Sequence, residues 1–372
     1  MPQSDGRPAD GLVLAVDGGG IKTDLALLDA GGELLSLVRG GGSHAHYLGV
    51  EGCVEVLEGL LDGAIARAGL GRRDHPLASA AQILLAGADL LEERLALRAR
   101  IEQLDWSERL VVDNDTLALL RAGTDRGWGV AVVCGAGINC LGLAPDGREV
   151  RFPSLGEISG DWGGGADVGL AALAAAARSA DGRGPRTVLE TAVPAHFGLG
   201  EPLEVSRALH LRQMPTARLN ELARVVFAVC DADSVAAGIV GRLADEVIAF
   251  AGAAIRRLEL SEADPDLVLG GRLLCVASLS VVERIARGVR EVAPNARVRV
   301  APSEPIVGAA LLALDAVGAD ASARARARAE LDAAVGALGR APVSGVVSAN
   351  AQAAGDGPAS RGSRSWVRAS PD

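Results

Sequence analysis

A run of three glycines near the start of the chain carries residue types that bind phosphate groups. The run and its polar neighbours are Asp17, Gly18, Gly19, Gly20, Lys22 and Thr23. Because glycine has no Cβ, backbone N–H groups can approach a phosphate closely there. Lys22 is the only lysine among 37 basic residues, which favours a specific task at this position. We expect Lys22 and Thr23 to contact the transferred phosphate, and Asp17 to hold Mg²⁺ through water.

The residues after the glycines distinguish this loop from two common types of phosphate-binding loop. Residues 24–28 and 33–38 are apolar or alternating and flank a turn at 30–32, which predicts a β-hairpin. Walker loops and dinucleotide-binding loops both continue into a helix. The pattern therefore predicts a fold in which a pair of strands follows the phosphate loop.

The same order of elements returns about 118 residues later. Apolar strands are predicted at 130–134 and 140–144, and the turn between them contains Gly135, Ala136 and Gly137. This repeat of strand, glycine turn and strand indicates a duplicated topology. Two-lobed phosphotransfer folds of the actin and hexokinase type grip a nucleotide between two such hairpins, so we expect both turns to face one cleft.

Asp115 is the candidate general base. It follows a predicted strand at 110–112 and precedes a predicted helix that begins at 117. A carboxylate at such a place can accept the proton of a sugar hydroxyl as the phosphoryl group arrives. Asp113 is the local alternative, and either aspartate could instead cap the helix.

Two further loops contain candidate ligand contacts. The stretch 154–165 is rich in glycine and carries the acids Glu157 and Asp161, so it either approaches a ligand or forms a surface loop. His44 flanks a second glycine loop at 40–43. A pair of histidines two residues apart, His44 and His46, makes a poor metal site without other ligands, which favours a polar substrate contact or plain exposure.

Composition and charge exclude several classes of protein. The 372 residues carry a net charge of −10, which argues against nucleic acid as a partner because a phosphate backbone binds basic surfaces. The five cysteines form no CxxC pair, as expected for reduced thiols in a cytosol. No apolar run reaches the roughly 18 residues of a membrane span. We expect a soluble cytoplasmic protein that has no membrane partner.

The chain is long enough for two lobes, which we place at 11–120 and 121–320. Further helices are predicted at 49–70, 91–104, 166–179 and 306–317, with mostly helical structure from 187 to 257 that breaks near 194–202 and 215. Further strands are predicted at 81–86, 267–269 and 298–300. The helix at 306–317 is a candidate to pack back on the first lobe, and 321–339 is a candidate extra helix. Residues 1–10 and the Ala-, Gly-, Ser- and Pro-rich tail 340–372 are predicted to be disordered.

Seven stretches in order resemble the BadF/BadG/BcrA/BcrD ATPase family, and within it the N-acetylglucosamine kinase-like branch of the actin-like ATPase superfamily. They are DGGGIKT (17–23), GGSHAHYLGVEG (41–52), DNDTLALL (113–120), CGAGINCLG (134–142), GEISGDWGGG (156–165), LVLGG (267–271) and EPIVGAALLAL (304–314). The resemblance implies an α/β protein with the two-lobed, ribonuclease H-like fold of actin-like ATPases. In that fold two duplicated mixed β-sheets are flanked by helices and separated by an interlobe cleft.

The resemblance also implies an activity and roles for individual residues. It implies ATP, Mg²⁺, transfer of the γ-phosphoryl group to the 6-hydroxyl of an amino sugar such as N-acetylglucosamine, and a possible homodimer. Asp115 falls on the catalytic base. The implied sugar contacts are Ser43, His44, Asn139, Asp161 and Gly165. The second phosphate loop is implied at Gly135, Ala136 and Gly137, and the adenosine-side loop at Gly270 and Gly271.

Departures from the family pattern keep two alternatives open. The second phosphate loop usually carries hydroxyl groups, which Ala136 and Ile138 lack, and Trp162 stands where an acid is usual. Each lost hydroxyl donor could weaken phosphate binding by about 0.5–1.5 kcal/mol. One alternative is therefore a non-catalytic ATP- or sugar-binding sensor. The other is an ATPase that activates a radical dehydratase, which would need cysteines for an iron–sulfur cluster.

Overall fold

The first glycine hairpin belongs to a mixed sheet of five strands. In the computed structural model, which describes residues 11–71 and 76–338, these strands are β1 (Val13–Gly18), β2 (Lys22–Leu28), β3 (Leu34–Gly41), β4 (Ala80–Leu85) and β5 (Leu110–Asp113). Their order is β3-β2-β1-β4-β5. Neighbouring pairs among β1, β2 and β3 are antiparallel, whereas β4 pairs in parallel with both β1 and β5.

The second glycine hairpin begins a sheet of the same design. Its strands are β6 (Gly129–Cys134), β7 (Ile138–Leu143), β8 (Glu149–Arg151), β9 (Asp266–Gly270) and β10 (Arg297–Val300), in the order β10-β9-β6-β7-β8. Here too the hairpin strands are antiparallel, and β6, β9 and β10 are parallel. The duplicated α/β fold with two mixed sheets is therefore confirmed. The short strand β8 was not predicted.

Twelve α-helices connect and cover the strands within the described residues. They are α1 (Ala45–Arg67), α2 (Leu91–Glu102), α3 (Asp115–Gly123), α4 (Gly164–Ala180), α5 (Leu189–His196), α6 (Pro202–His210), α7 (Leu222–Val229), α8 (Ser234–Arg257), α9 (Arg272–Cys275), α10 (Leu279–Arg290), α11 (Pro305–Ala316) and α12 (Ala321–Leu338).

The start of one predicted helix was wrong, and one predicted helical region contains a further break. Helix α1 begins at Ala45, four residues before the predicted start, and its non-helical residue is Gly49, with φ of 71°. Glycine tolerates this conformation, so the helix continues past it with a kink. The segment 187–257 also breaks between α7 and α8, where Asp233 accepts hydrogen bonds from the amides of Val235 and Ala236 and so caps α8.

Helix α11 ties the two halves of the chain together. It follows β10 of the second sheet but packs against the first sheet, where Ile306 and Leu311 share a core with Val13 and Ala118. A Cβ on Gly308 would lie 1.9 Å from the carbonyl oxygen of Ala118, so α3 and α11 touch through their backbones. This contact holds α3, which begins with Asp115, firmly against the first sheet.

Parallel pairing brings the carboxyl ends of strands to one edge of each sheet. Asp17 of β1 lies beside Leu84 of β4, which in turn lies beside Asp113 of β5. In the second sheet Val133 of β6 lies beside Gly270 of β9. Ligands of open α/β sheets bind outside the carboxyl ends of the strands, and the fold places Asp17, Asp113 and Gly270 at such ends.

Some of the predicted segments lie wholly or partly outside the described residues. The predicted disordered segments 1–10 and 340–372 lie outside them, as does the last residue of the predicted helix 321–339.

Among residues 11–71 and 76–338, no helix combines the length and the apolar character needed to cross a bilayer.

Candidate active site

Asp115 is the first residue of α3 but not the residue that caps it. The side chain of Asn114 accepts a hydrogen bond from the Thr116 amide at 3.0 Å and serves as the N-cap. Among the described residues, no side chain forms an ion pair or hydrogen bond with the Asp115 carboxylate. Burial, together with the negative charges of Asp17 and Asp89, raises the pKa of Asp115 to about 8. Asp115 is therefore a half-buried carboxylate that can take up a proton near neutral pH.

The alternative base, Asp113, is instead held by two arginines. Arg94 Nη1 lies 3.2 Å from Asp113 Oδ1, and Arg151 Nη2 lies 2.9 Å from Asp113 Oδ2. Arg94 belongs to α2, whereas Arg151 belongs to β8 of the second sheet. With both oxygens paired, Asp113 is suited to joining the sheets and poorly suited to accepting a proton.

Asp17 is the buried carboxylate at the end of β1. Burial raises its pKa to about 7; Lys22 opposes this shift, whereas Asp24 and Glu304 add to it. No cluster of three or more acidic, histidine or cysteine side chains that could hold a metal occurs among the described residues. Mg²⁺ commonly keeps several waters and binds one or two carboxylates together with substrate phosphates. A carboxylate beside a glycine loop, as Asp17 is, fits such an ion.

Lys22 lies at the start of β2, between acids from both halves of the chain. Its Nζ lies 2.8 Å from Asp24 Oδ2 and 2.9 Å from Glu304 Oε2. Asp24 is fully buried and also accepts two hydrogen bonds from Arg39. Glu304 lies between β10 and α11, directly before the helix. Lys22 is therefore tethered next to the first glycine turn and bridges to the second half of the chain.

Thr23 and Ser43 are bonded to each other inside the first lobe. Thr23 Oγ1 donates to Ser43 Oγ at 2.9 Å, and both residues are fully buried. The Ser43 amide donates to the carbonyl of Gly19 at 3.0 Å. Neither side chain is exposed to solvent, and Ser43 holds the glycine turn through its bond to Gly19.

His44 connects two loops of the first lobe. It caps α1 by accepting a hydrogen bond from the His46 amide, and its ring lies 4.6 Å from the ring of the exposed Tyr47. A Cβ on Gly87 would lie 2.2 Å from the His44 ring, so the ring covers the loop after β4. Burial lowers the pKa of His44, which keeps the imidazole neutral at pH 7.

The second glycine turn packs on the start of α4. The amides of Gly165 and Ala166 donate to the carbonyls of Gly135 and Ala136 at 2.9 and 3.0 Å. The Gly165 amide is thus used by the turn and is not free for a sugar. Gly271 lies against the other side of the turn, where an added Cβ would be 2.4 Å from the Cys134 carbonyl oxygen. The structure therefore brings the predicted second phosphate loop and the Gly270–Gly271 loop together.

Asn139 crosses from the second lobe to the first. Its Nδ2 donates to Asp89 Oδ1 at 2.7 Å and lies 3.3 Å from Asn114 Oδ1. Asn139 is two residues beyond the second glycine turn, and Asn114 is next to Asp115. The second glycine hairpin is therefore joined by hydrogen bonds to the residue that precedes the candidate base.

Asp161 lies in the loop before α4 and bonds locally. Ser159 Oγ donates to Asp161 Oδ2, and the Asp161 amide donates to the Gly156 carbonyl. A Cβ on Gly163 would lie 3.1 Å from Ile138, so this loop borders the second hairpin. In the described part of the chain, no hydrogen bond or ion pair connects Asp161 to Asp115 or Asn139.

The family comparison agrees with this arrangement. The model of the BadF/BadG/BcrA/BcrD ATPase family matches residues 14–313, which span both sheets and every cleft residue described above. The chain belongs to this family.

Curated relatives of this BadF/BadG/BcrA/BcrD family member include two sugar kinases. The chain is 28% identical over 265 residues to an N-acetylmuramic acid/N-acetylglucosamine kinase of Clostridium acetobutylicum, covering 70% of this chain and 85% of the relative. It is 24% identical over 314 residues to an N-acetyl-D-glucosamine kinase of Dictyostelium discoideum, covering 82% and 98%.

Solved structures confirm the fold. A Chromobacterium violaceum protein, provisionally named an N-acetylglucosamine kinase, superimposes with a TM-score of 0.66 at 24% identity, over 82% of this chain and 99% of that one. A Porphyromonas gingivalis protein with the same provisional name gives 0.59 at 18% identity, over 82% and 98%.

Several cleft residues of this family member were missed by sequence reasoning. They are Asp89, Arg94, Asn114, Arg151 and Glu304. Asp89 and Asn114 each follow a parallel strand, and a polar residue at that position could have been recognised as a candidate site residue. Their importance depends on partners far away in sequence, such as Asn139 for Asp89, which no local pattern shows.

Proposed function

We propose that this family member is an ATP-dependent sugar kinase that transfers the γ-phosphoryl group to the 6-hydroxyl of an amino sugar such as N-acetylglucosamine. The observation that carries the proposal is the placement of Asp115: an unpaired carboxylate, half-buried, where the two glycine hairpins meet. The names of the Clostridium and Dictyostelium relatives support an amino sugar as the small-molecule partner.

Each part of the cleft has a task in this reaction. Asp115 accepts the proton of the attacking hydroxyl, and a pKa near the working pH suits a general base. The two glycine turns hold the phosphates of ATP through backbone amides, and Gly270 and Gly271 border the adenosine. Lys22 supplies positive charge to the phosphates. Asp17 would hold Mg²⁺ through water, and the ion would supply positive charge to the phosphates.

The sugar occupies the region between His44, Asn139 and the loop of Asp161. Because Ser43 is fully buried and the Gly165 amide is already bonded, we propose that these two residues shape this region and do not contact the sugar directly. Tyr47 is exposed beside His44, and an aromatic ring can pack against the apolar face of a sugar. We also propose a cytoplasmic homodimer on the family resemblance.

A non-catalytic sensor is the second candidate. It is favoured by the missing hydroxyl groups at Ala136 and Ile138 in the second glycine turn. A regulator of the ROK family, a homologue of the Escherichia coli MLC protein, has a similar fold, with a TM-score of 0.54 at 14% identity, so the fold alone does not separate kinase from sensor. The dehydratase-activator alternative loses support because Cys134 and Cys140, beside the second glycine turn, are buried in the hydrophobic core that covers the second sheet.

An assay of ADP release separates these readings. The purified chain is incubated with ATP, Mg²⁺ and one sugar at a time: N-acetylglucosamine, glucosamine, N-acetylmannosamine, N-acetylmuramic acid or glucose. The proposal predicts turnover with at least one N-acetylated sugar and a 6-phosphate product by mass spectrometry and ³¹P NMR. The matched 6-deoxy sugar must give no turnover. ATP binding without phosphorylation of any sugar would favour the sensor.

A further inference from the structure

One carboxylate oxygen accepts hydrogen bonds from both lobes. Asp89 lies in the loop between β4 and α2, and its Oδ1 is 2.8 Å from Asn114 Nδ2 and 2.7 Å from Asn139 Nδ2. Asn114 precedes α3 in the first lobe, whereas Asn139 belongs to β7 in the second. Asp89 is thus a shared acceptor between the catalytic helix and the second glycine hairpin.

On the side of the first lobe, this bond fixes the helix that begins with Asp115. Because the Asn114 amide nitrogen faces Asp89, its oxygen faces α3, where it accepts hydrogen bonds from the Thr116 amide at 3.0 Å and the Thr116 hydroxyl at 2.6 Å. Loss of the bond to Asp89 would let the Asn114 side chain rotate. The cap of α3, and with it the position of Asp115, would then be less well defined.

On the side of the second lobe, the bond fixes Asn139 and the turn before it. Asn139 Oδ1 accepts a hydrogen bond from the Cys140 amide at 2.6 Å, and Nδ2 is shared between Asp89 and Asn114. The side chain is therefore held from both ends. This makes the orientation of the second glycine turn depend on Asp89.

Asp89 is itself anchored. Its amide and that of Leu90 donate to Glu93 Oε2 at 3.0 and 2.9 Å. Glu93 is also paired with His46 of α1. Burial and the charge of Glu93 raise the pKa of Asp89 to about 6, whereas His46 and the bonds from Asn114 and Asn139 favour the ionised form. At pH 7 or above Asp89 is therefore an ionised acceptor on a braced loop.

We propose that Asp89 is a positioning residue for phosphoryl transfer. Through its bonds to Asn139 and Asn114, it holds the second glycine hairpin in a fixed position relative to Asp115. The inference rests on the proposed kinase activity. Small displacements of reacting groups cost large factors in rate, because the proton acceptor and the phosphate must face the same hydroxyl.

The test compares Asp89→Ala, Asp89→Asn, Asn139→Ala and the double variant Asp89→Ala/Asn139→Ala at pH 8. We expect Asp89→Ala to lower kcat by about 10–100-fold while leaving the dissociation constant for ATP within about threefold. Asp89→Asn keeps an oxygen acceptor and should restore kcat to within about fivefold of wild type. Glu92→Ala, which removes an exposed carboxylate in the first turn of α2, the helix after Asp89, is the matched control with unchanged kcat.

The double variant tests the link itself. Because either single variant already removes the bond between Asp89 and Asn139, the loss of kcat in the double variant should be clearly smaller than the product of the two single losses, whereas independent residues would give multiplied losses. Multiplied losses, a wild-type kcat in Asp89→Ala, or failure of Asp89→Asn to restore activity would overturn the proposal.

Failure of the proposed function is recognised separately. If the wild-type chain phosphorylates no sugar, the kinase assignment falls. The link between Asp89 and Asn139 is then judged from urea unfolding of the same four variants. Non-additive losses in unfolding free energy would show that the lobes are joined through Asp89, and additive losses would reject the link.

Discussion

Arg151 of the second sheet donates to Asp113 of the first sheet, with 2.9 Å between Nη2 and Oδ2. Arg94 pairs with the other oxygen of Asp113 from α2. The ion pair is mostly shielded from solvent, since the Arg151 and Asp113 side chains are only 18% and 15% exposed. This link joins the two lobes near the candidate base, Asp115. It gives Asp113 a structural role and leaves Asp115 as the aspartate for the chemistry.

Removal of the arginine should therefore weaken the fold. We expect Arg151→Ala to lower the free energy of unfolding by about 1–2 kcal/mol, because it leaves a partly buried carboxylate with one partner fewer. Arg183→Ala is the control, since Arg183 pairs with Asp181 on the exposed surface and such surface pairs contribute little to stability. Urea denaturation measures both, and equal effects would contradict the role given to Arg151.

Lys22 should matter for nucleotide binding. We expect Lys22→Met to raise the KM for ATP by about 10–100-fold, since a hydrogen bond to a charged group is worth roughly 1.5–3 kcal/mol. Glu304→Gln releases Lys22 from one of its two acids and should leave that KM unchanged or lower it. Initial rates at varied ATP test the pair of variants, and the account fails if Lys22→Met binds ATP as wild type does.

The rate should rise with pH in the neutral range. A base must be deprotonated to act, and the pKa of Asp115 is raised to about 8 and that of Asp17 to about 7, in both cases chiefly by burial. We therefore expect kcat/KM to fall by about tenfold or more per pH unit below pH 7. The measurement is a profile of kcat/KM from pH 5.5 to 9, and a flat line between 6 and 8 would contradict it.

The burial of Asp115 should also lower the free energy of unfolding as the pH rises. An aspartate in the unfolded chain has a pKa of about 3.9, so the raised folded pKa means that stability is lost as pH increases from about 4 towards 8. Asp115→Asn carries no charge and escapes this loss. Its Tm should exceed that of wild type by at least about 2 °C at pH 8, and the difference should shrink at pH 4.

The control for this stability measurement is Asp113→Asn. Asp113 has two arginine partners, so this substitution should lower the Tm at pH 8. If both variants changed the Tm in the same direction, the two aspartates would not have the opposite environments described here.

The two hairpins could be predicted from the sequence because their signals are local. Glycines at 18–20 and at 135 and 137 are each followed by strand patterns, and short-range periodicity is enough to recognise a hairpin. Strand β8 escaped notice because three residues, Glu149–Arg151, are too few to show a period. Its extended conformation depends on antiparallel pairing with β7.

The side-chain network of the cleft could not be predicted in the same way. Thr23 was expected at the phosphate, but its hydroxyl is buried against Ser43, and this pairing across 20 residues depends on how β2 meets the loop before α1. Asp89 binds Asn139 across 50 residues. Such contacts depend on the packing of two lobes, which residue types and spacing do not show.

The measurement that tests the central claim most directly is the turnover of Asp115→Asn on the best sugar, together with its affinity for ATP. The account predicts a kcat lower by about 10²–10⁴-fold and an ATP dissociation constant within about threefold of wild type, whereas Asp113→Asn, as control, loses less than about tenfold in kcat. If Asp115→Asn turned over the sugar at a rate close to that of wild type, Asp115 would not be the base and the proposed mechanism would be wrong.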